Sequence, residues 1–597
     1  MEGDDQNKLD RLRRKLNKKV LRKHIRKVEG ATIRHTHKFI SKRWGNVRDS
    51  QRHIIMWIII MGLLITATGL QLMWFQNSYK TTTSETNGTY AEAVLGPINS
   101  LNPLFANSNA EQSVNYLMFS RLLNYDKTGN LNYDLATNIK TNDNKTVYTI
   151  NIRPDVKWHD GIKLTTSDIA FTVGLIKNPT TRTSIIGWQN ISVKVIDETA
   201  IEFTLQSPFA PFENFLTFPI VPEHILGNVA VGNVLENNFS NNPIGSGPFK
   251  MLFSQNVDQI SGNKVIYMAR NDNYYKGFPK LARFQLHIYN DKESIVQALK
   301  SNEINAASGL SIKDVDSVDL KKYSVSSEPI KSGVYAIINT TSELLSDQKI
   351  RKAIQLATDT NAIRKELPLT ANQLDLPFIN GMLIGDIPKA SPFDIVAAKK
   401  ALDDDGWVVN ANGIREKAGK ELRLSVVTIK NDEFERVLEI LVGQWRAIGI
   451  NIDTKVIDSK DVTQSFVQTT LQPRDYDILL YQLNIGADPD VFAFWHSSQI
   501  STQGFNFSNY SNAISDDALL SARTRVEPDL RNAKYLTFAM QWLSDVPAIG
   551  LYQSTTQYVH NRNVNSFDES NVLISPIDRY GDVLKWSVGT KSVFKTP

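Results

Sequence analysis

Twenty-two consecutive residues, Ile54–Phe75, carry no charge, and no other feature constrains the folding of this chain as strongly. As a helix the stretch is about 33 Å long, enough to cross the hydrocarbon core of a bilayer. It is apolar all round, so it lacks the polar face that a surface helix of a globular domain turns to water. It exceeds the roughly 7–15 apolar residues of a cleaved signal peptide. It also follows a leader of 53 residues, and Phe75-Gln76-Asn77-Ser78 after it offers no Ala-x-Ala cleavage pattern. Residues 54–75 are therefore expected to be one uncleaved transmembrane signal anchor, with Trp57 and Trp74 near its two interfaces.

The flanking charges orient it. Residues 1–53 hold 17 Lys/Arg and 6 Asp/Glu, a net of +11, whereas the remainder holds 50 basic and 56 acidic residues, a net of −6. Basic residues beside a span stay in the cytoplasm, so residues 1–53 read as a basic cytoplasmic head and the large body as extracytoplasmic. Within the head, Leu9, Leu12, Leu16, Val20, Leu21, Ile25 and Val28 form one apolar stripe on a basic helix. Such a helix beside a span suits anionic lipid headgroups, or simply enforces orientation. No zinc or RNA-binding motif accompanies the charge, so nucleic acid is not expected. The chain has no cysteine, which excludes both disulfide staples and a lipid-modified cysteine.

Residues 76–89 are polar and read as a linker. Beyond them, short β-type runs alternate with helical patterns. Val147–Arg153 and Ile201–Leu205 alternate as half-buried strands do. Thr165-Thr166-Ser167-Asp168 is a capping-box pattern before a helix carrying Ile169, Val173 and Ile176 on one face. Val437, Leu441, Trp445 and Ile448 line another helix, which Gly449 stops before the strand Ile450–Val456. The expected fold class is α/β, mixed α+β, with helices packed on sheets.

The usual catalytic spacings are missing: no Gly-x-Ser-x-Gly elbow, no His-Glu-x-x-His and no Walker loop. The five histidines of the body, His159, His224, His287, His496 and His560, lie far apart, so no metal site is expected. His159-Asp160 is half of a Ser/His/Asp arrangement, but it precedes Gly161 between a strand and a helix, where a turn is the simpler reading. Gly245-Ser246-Gly247-Pro248 reads as a tight turn rather than an anion cradle, because no helix N-terminus follows it.

Several segments together resemble one family, the extracytoplasmic solute-binding proteins of ABC importers, in the peptide/dipeptide/nickel-binding branch (family 5). They are Glu92–Phe105 with its Leu101-Asn102-Pro103 turn, and Val156–Thr172 with Trp158-His159-Asp160-Gly161. Gly245–Phe249, Asn271–Gly277, Ile338-Asn339, Ile350–Ile354 with Arg351, Asp359, and Ala398–Leu402 with Gly406-Trp407 follow in order. Gly486-Ala487-Asp488-Pro489-Asp490-Val491-Phe492, Trp495–Ser498, Asn506–Tyr510 and Val546–Ile549 complete the series. Asn305 and Thr360 depart from the family pattern, and a helix stands where the family usually has a lipid-modified cysteine.

The resemblance implies a two-lobed periplasmic-binding-protein-like fold with a hinge, preceded here by one transmembrane helix. Lobe 1 would span 90–331, completed by 549–597, and lobe 2 would span 332–548, with crossings near Gly333–Ile337 and Pro547–Gly550. It implies a monomeric binding protein without catalytic residues or cofactor, which captures oligopeptides and delivers them to ABC permease subunits. Asp488 matches the family position that receives the ligand's ammonium, with Asp490 as the fallback. Phe492, Trp495, Asn102, Tyr116 and Gly247 are the further cleft candidates. Trp158 and Asp160 are expected to shape a turn, and Arg351 to sit in a helix-surface ion pair. The alternatives are another solute (a metal chelate, haem or an oligosaccharide), an exported hydrolase, and a sensor.

Overall fold

A computed structural model describes residues 51–257, 262–367, 371–458 and 465–594. The basic head, and with it the expected helix over residues 8–28, lies outside the described residues. The chain divides into two units, of which residues 84–590 form the body. In the other, Gln51–Tyr79 is one 29-residue helix. Its segment Gln51–Trp74 is long and apolar enough to cross a membrane. The Thr68 hydroxyl donates to the Leu64 carbonyl at 2.6 Å, and Thr66 bonds Gly62 in the same way, so both hydroxyls are satisfied within the helix. Within the segment read as a polar linker, the helix continues to Tyr79, and Lys80–Ser84 pairs as a strand with Thr590–Phe594.

The body is built on one ten-stranded mixed sheet. Its order is 451–457, 423–429, 478–484, 323–338, 548–561, 306–308, 89–95, 283–289, 264–270 and 249–256. Two long antiparallel strands, Tyr323–Ile338 and Ala548–Asn561, occupy the centre. Their pairing is regular from Tyr323 to Pro329 and again from Gly333, and it shifts register between Pro329/Gly333 and between Val334/Tyr335. The hydrophobic cores divide at the same place. Tyr90, Ile330 and Tyr558 pack in one core, and Val334, Leu551 and Tyr552 in another. The body is thus two-lobed, joined by strands whose ladder is interrupted where the cores part.

Parallel pairing marks both halves of the sheet. Arg423–Ile429 and Asn451–Ile457 are adjacent parallel strands joined by the helix Asp432–Arg446. The Asn431 side chain caps that helix by accepting from the Glu433 and Phe434 N–H groups, and acids fill its first turn. Val437, Leu441, Trp445 and Ile448 are buried as the spacing predicts, and Gly449, at φ +85°, turns the chain into the strand. The two strands expected in the first half, 147–152 and 200–205, form the centre of a four-stranded antiparallel sheet whose edges are 136–141 and 191–197. The capping box also forms. Thr165 N–H donates to Asp168 Oδ2 at 2.9 Å, and Ile169, Val173 and Ile176 face the core.

Candidate ligand-binding cleft

The two lobes touch at several points. The Ala210 N–H donates to the Arg523 carbonyl at 2.8 Å. The Arg523 guanidinium lies between two rings, 5.0 Å from that of Phe209 and 4.2 Å from that of Phe492. Lys292 and Asp432 form a cross-lobe ion pair at 3.3 Å. Two cavities share Ile186 in their walls. One, of about 330 Å³, is lined by first-lobe residues including Gln112, Asn115, Arg121, Trp188 and Phe218. The other, of about 600 Å³, is lined mostly from the second lobe by Tyr481, Asn484, Phe494, Phe505 and Phe507. Apolar walls with a few amide and guanidinium groups make a place for an elongated, partly apolar solute.

Two arginine–aspartate pairs hold the second-lobe side of this region. Arg531 grips Asp488 with both terminal nitrogens, at 2.8 and 2.5 Å, and the two side chains are only 14 % and 15 % exposed. Arg523 Nε donates to Asp490 Oδ2 at 2.9 Å. Burial pushes the Asp490 carboxyl above its ordinary range, and Arg523 pulls it back. Asp488 faces the first lobe closely enough that, after burial and Asp578, its charge raises the Tyr125 hydroxyl. The bare carboxylate expected from the sequence is therefore a paired one. Arg531 arrives from a helix 43 residues downstream of Asp488, and Arg523 from one 33 residues downstream of Asp490, with no local signal at the turn.

The chain resembles known proteins over the same residues. A model of the bacterial extracellular solute-binding proteins, family 5 (middle), matches residues 130–505. The chain belongs to that family. The oligopeptide-binding protein AppA of Bacillus subtilis is 26% identical over 491 residues, covering 79% of this chain and 87% of AppA. Escherichia coli DdpA, described as a probable D,D-dipeptide-binding periplasmic protein, is 22% identical over 485 residues, covering 78% and 89%. Among solved structures, Campylobacter jejuni NikZ in complex with Ni(L-His) superposes with a TM-score of 0.72 at 25% identity, covering 84% of this chain and 99% of NikZ. AppA with a bound nonapeptide superposes with a TM-score of 0.71 at 24% identity, covering 85% and 100%. The family consists of solute-binding proteins, not enzymes.

Several residues singled out from the sequence of this family 5 protein serve packing. Trp495, 1 % exposed, sits edge-on to Tyr335 and Trp542 in the second-lobe core. Phe492 is buried under Arg523 and stacks on His496, while its neighbour Phe494 lines the larger cavity. Asn102 is fully buried, and its Oδ1 caps a short 3₁₀ turn by accepting from Leu104 N–H. Tyr116 is buried too, and its hydroxyl accepts from Asn124 Nδ2 at 2.9 Å. At Gly247 a Cβ would lie 2.5 Å from the Met118 carbonyl carbon, so the glycine permits backbone contact. Arg351 is buried rather than paired on a helix surface, and donates to the carbonyls of Asp545, Leu345 and Ser346.

The His159-Asp160 dipeptide is a turn with a buried ring. The Gly161 N–H donates to the Trp158 carbonyl, and Asp160 pairs with His224 at 2.8 Å rather than with His159. His159 Nδ1 accepts from Gly245 N–H at 3.2 Å, and Nε2 donates to the Gly247 carbonyl at 3.1 Å. That ring is neutral, because burial lowers its pKa from the ordinary imidazole value to about 4. A depressed folded-state value stabilises above the unfolded value and is lost as pH falls through the folded one. Between pH 7 and 4 the wild type should lose about 3 kcal/mol more stability than His159→Gln. Denaturant midpoints followed across that range check this, and parallel pH profiles for the two proteins would refute it.

Proposed function

We propose that this family 5 protein is a membrane-anchored receptor that captures oligopeptides between its lobes and delivers them to an ABC permease. The observation that carries the reading is the pair of cavities that share Ile186 as a wall residue, lined by aromatic rings and set with amide and guanidinium groups. Such walls suit peptides, whose shared amides need fixed polar partners while their side chains need room. Its relatives support the ligand class, since AppA is described as oligopeptide-binding. Residues 90–331 with 549–597 form lobe 1 and residues 332–548 lobe 2; the parting of the cores between Ile330 and Val334 supports the first boundary, whereas Ile549, Leu551 and Tyr552 pack with the second-lobe core and shift the return crossing a few residues past 549. Ligand favours the closed state by the difference between its affinities for closed and open forms.

The helix over 54–75 is the anchor that keeps the receptor near its permease. The basic head lies in the cytoplasm against anionic lipid, and the receptor acts as a monomer. Peptide at about one hundred times its Kd is expected to stabilise the purified full chain by about 2.7 kcal/mol, read as a rise in Tm in detergent. An unchanged Tm across a peptide library of mixed length would sink the peptide reading. The likeness to NikZ with Ni(L-His) favours a metal chelate as the second reading. Mass spectrometry of the molecule that co-purifies with the full chain separates the two.

A further inference from the structure

We propose that Arg121 is the anion-recognition residue of the first lobe and binds a carboxylate of the ligand, whose adjoining apolar group fills the cavity beside it. The inference rests on the peptide-binding reading and adds a specificity-determining contact to it. Arg121 interrupts the apolar run from Leu117 to Leu123, and only 8 % of the residue is exposed. Four other arginines are buried to the same degree: Arg351, Arg415, Arg474 and Arg579. Each of those spends its N–H groups on backbone carbonyls or a carboxylate, as for Arg415 on Asp403 and Trp407 and Arg474 on Ser501 and Gly504. Among the described residues, the Arg121 guanidinium makes no hydrogen bond and no ion pair. The Tyr116 ring lies 4.5 Å from Cζ, and the cation is close enough to the buried Asp578 to pull that carboxyl down against the effect of burial.

A guanidinium presents five donors, and those of Arg121 face the cavity, where a ligand can reach them. The nearby carboxylates are engaged by other groups. Asp134 accepts on Oδ1 from Lys276 at 2.5 Å and Tyr275 at 2.7 Å and on Oδ2 from the Arg121 backbone N–H at 3.2 Å, and Asp578 accepts on Oδ2 from the Ser575 N–H and hydroxyl at 2.7 and 2.9 Å. Arg121 instead lines the cavity of about 330 Å³, together with Asn115, whose Oδ1 is buried without a partner. A planar anion with two oxygens matches the guanidinium fork, and a ligand amide N–H near that anion, such as the one on the α-carbon of a C-terminal residue, matches the orphaned Asn115 Oδ1. Trp188, Phe215 and Phe218 then wall the space for a large apolar side chain. The carboxylate comes either from a peptide C-terminus or from an acidic side chain.

Calorimetry on the full chain in detergent tests this with matched probes. The peptide Ala-Ala-Ala-Phe is used as acid and as C-terminal amide. Ala-Ala-Glu-Phe amide against Ala-Ala-Gln-Phe amide reports on an acidic side chain. In at least one pair the carboxylate member should bind roughly ten-fold or more tighter, and that pair identifies the source. Arg121→Gln should shrink the ratio to below about three-fold, Arg121→Lys should keep part of it, and the uncharged probe should bind both variants as it binds wild type, which certifies folding. Equal affinities within both pairs for wild type, or an undiminished ratio in Arg121→Gln, would overturn the proposal while leaving peptide binding intact. If no peptide binds, the peptide reading falls and N-acetylphenylalanine against its amide decides on Arg121 alone. A preference for the acid that Arg121→Gln abolishes supports the site, and no preference overturns it.

Discussion

Glu92→Ala is expected to destabilise the first lobe by about 4–5 kcal/mol, the largest effect of any single substitution considered for this protein. Glu92 is wholly buried in the middle of the strand Thr89–Leu95, and Arg579, 3 % exposed, donates to its Oε1 from Nε at 2.9 Å and from Nη2 at 2.6 Å. Tyr580 and Tyr558 donate to the same carboxylate at 2.8 and 3.0 Å. Three distant stretches of chain meet on one anion. Removing it leaves a buried guanidinium without compensation, which costs far more than the intact pair contributes. The double variant Glu92→Met with Arg579→Met should recover most of the loss, because neither buried charge remains. Trp586 packs 5.3 Å from Tyr90, so its fluorescence reports on this region during denaturant unfolding. An unchanged midpoint in Glu92→Ala would refute the account.

Arg531→Met is expected to cost the second lobe about 3–4 kcal/mol. The change strips Asp488 of its bidentate partner and leaves it beside Asp490, with Arg523 as the nearby cation. Two carboxylates then share one guanidinium, and Asp490, whose carboxyl burial already pushes up, loses part of the Arg523 charge that pulls it back. A carboxyl with a raised folded pKa contributes stability below the unfolded value and loses it as pH rises. The deficit of the variant relative to wild type should therefore shrink as pH falls toward about 4. Asp488→Asn should be milder, about 1.5 kcal/mol, since the amide oxygen still accepts from Arg531. The buried pair Trp495 and Trp542, 5.5 Å apart, reports unfolding of this lobe. A deficit that stayed constant with pH would show that these two carboxylates are not the groups left short of charge.

The sequence was most legible where the signal is local. A capping box, an apolar stripe at helical spacing and a glycine stop are complete within about twenty residues, and 166–177 and 432–446 folded as read. So were the strands at 147–152 and 200–205, because alternation needs only one neighbour on each side. Ordered motifs over most of the body were enough to identify the family. The cleft was far less legible. Phe492 and Trp495 share a short helix with Phe494, yet only Phe494 reaches the cavity, since four residues of helix face more than one way. Arg121 carried a faint signal, a lone cation inside an apolar run, which an aliphatic core would not place there.

What the amino-acid order determined alone was the uncharged 22-residue segment, the two periodicities and the family motifs. Each depends on residues close in the chain or on their type. What only the tertiary structure decided was which charges are spent. Asp488 meets Arg531, 43 residues away, and Glu92 meets Arg579, 487 residues away. Arg121 meets no such partner among the described residues. A buried charge is structural or ready for a ligand according to whether another stretch of chain reaches it. That depends on the packing of remote segments, to which no local pattern is coupled.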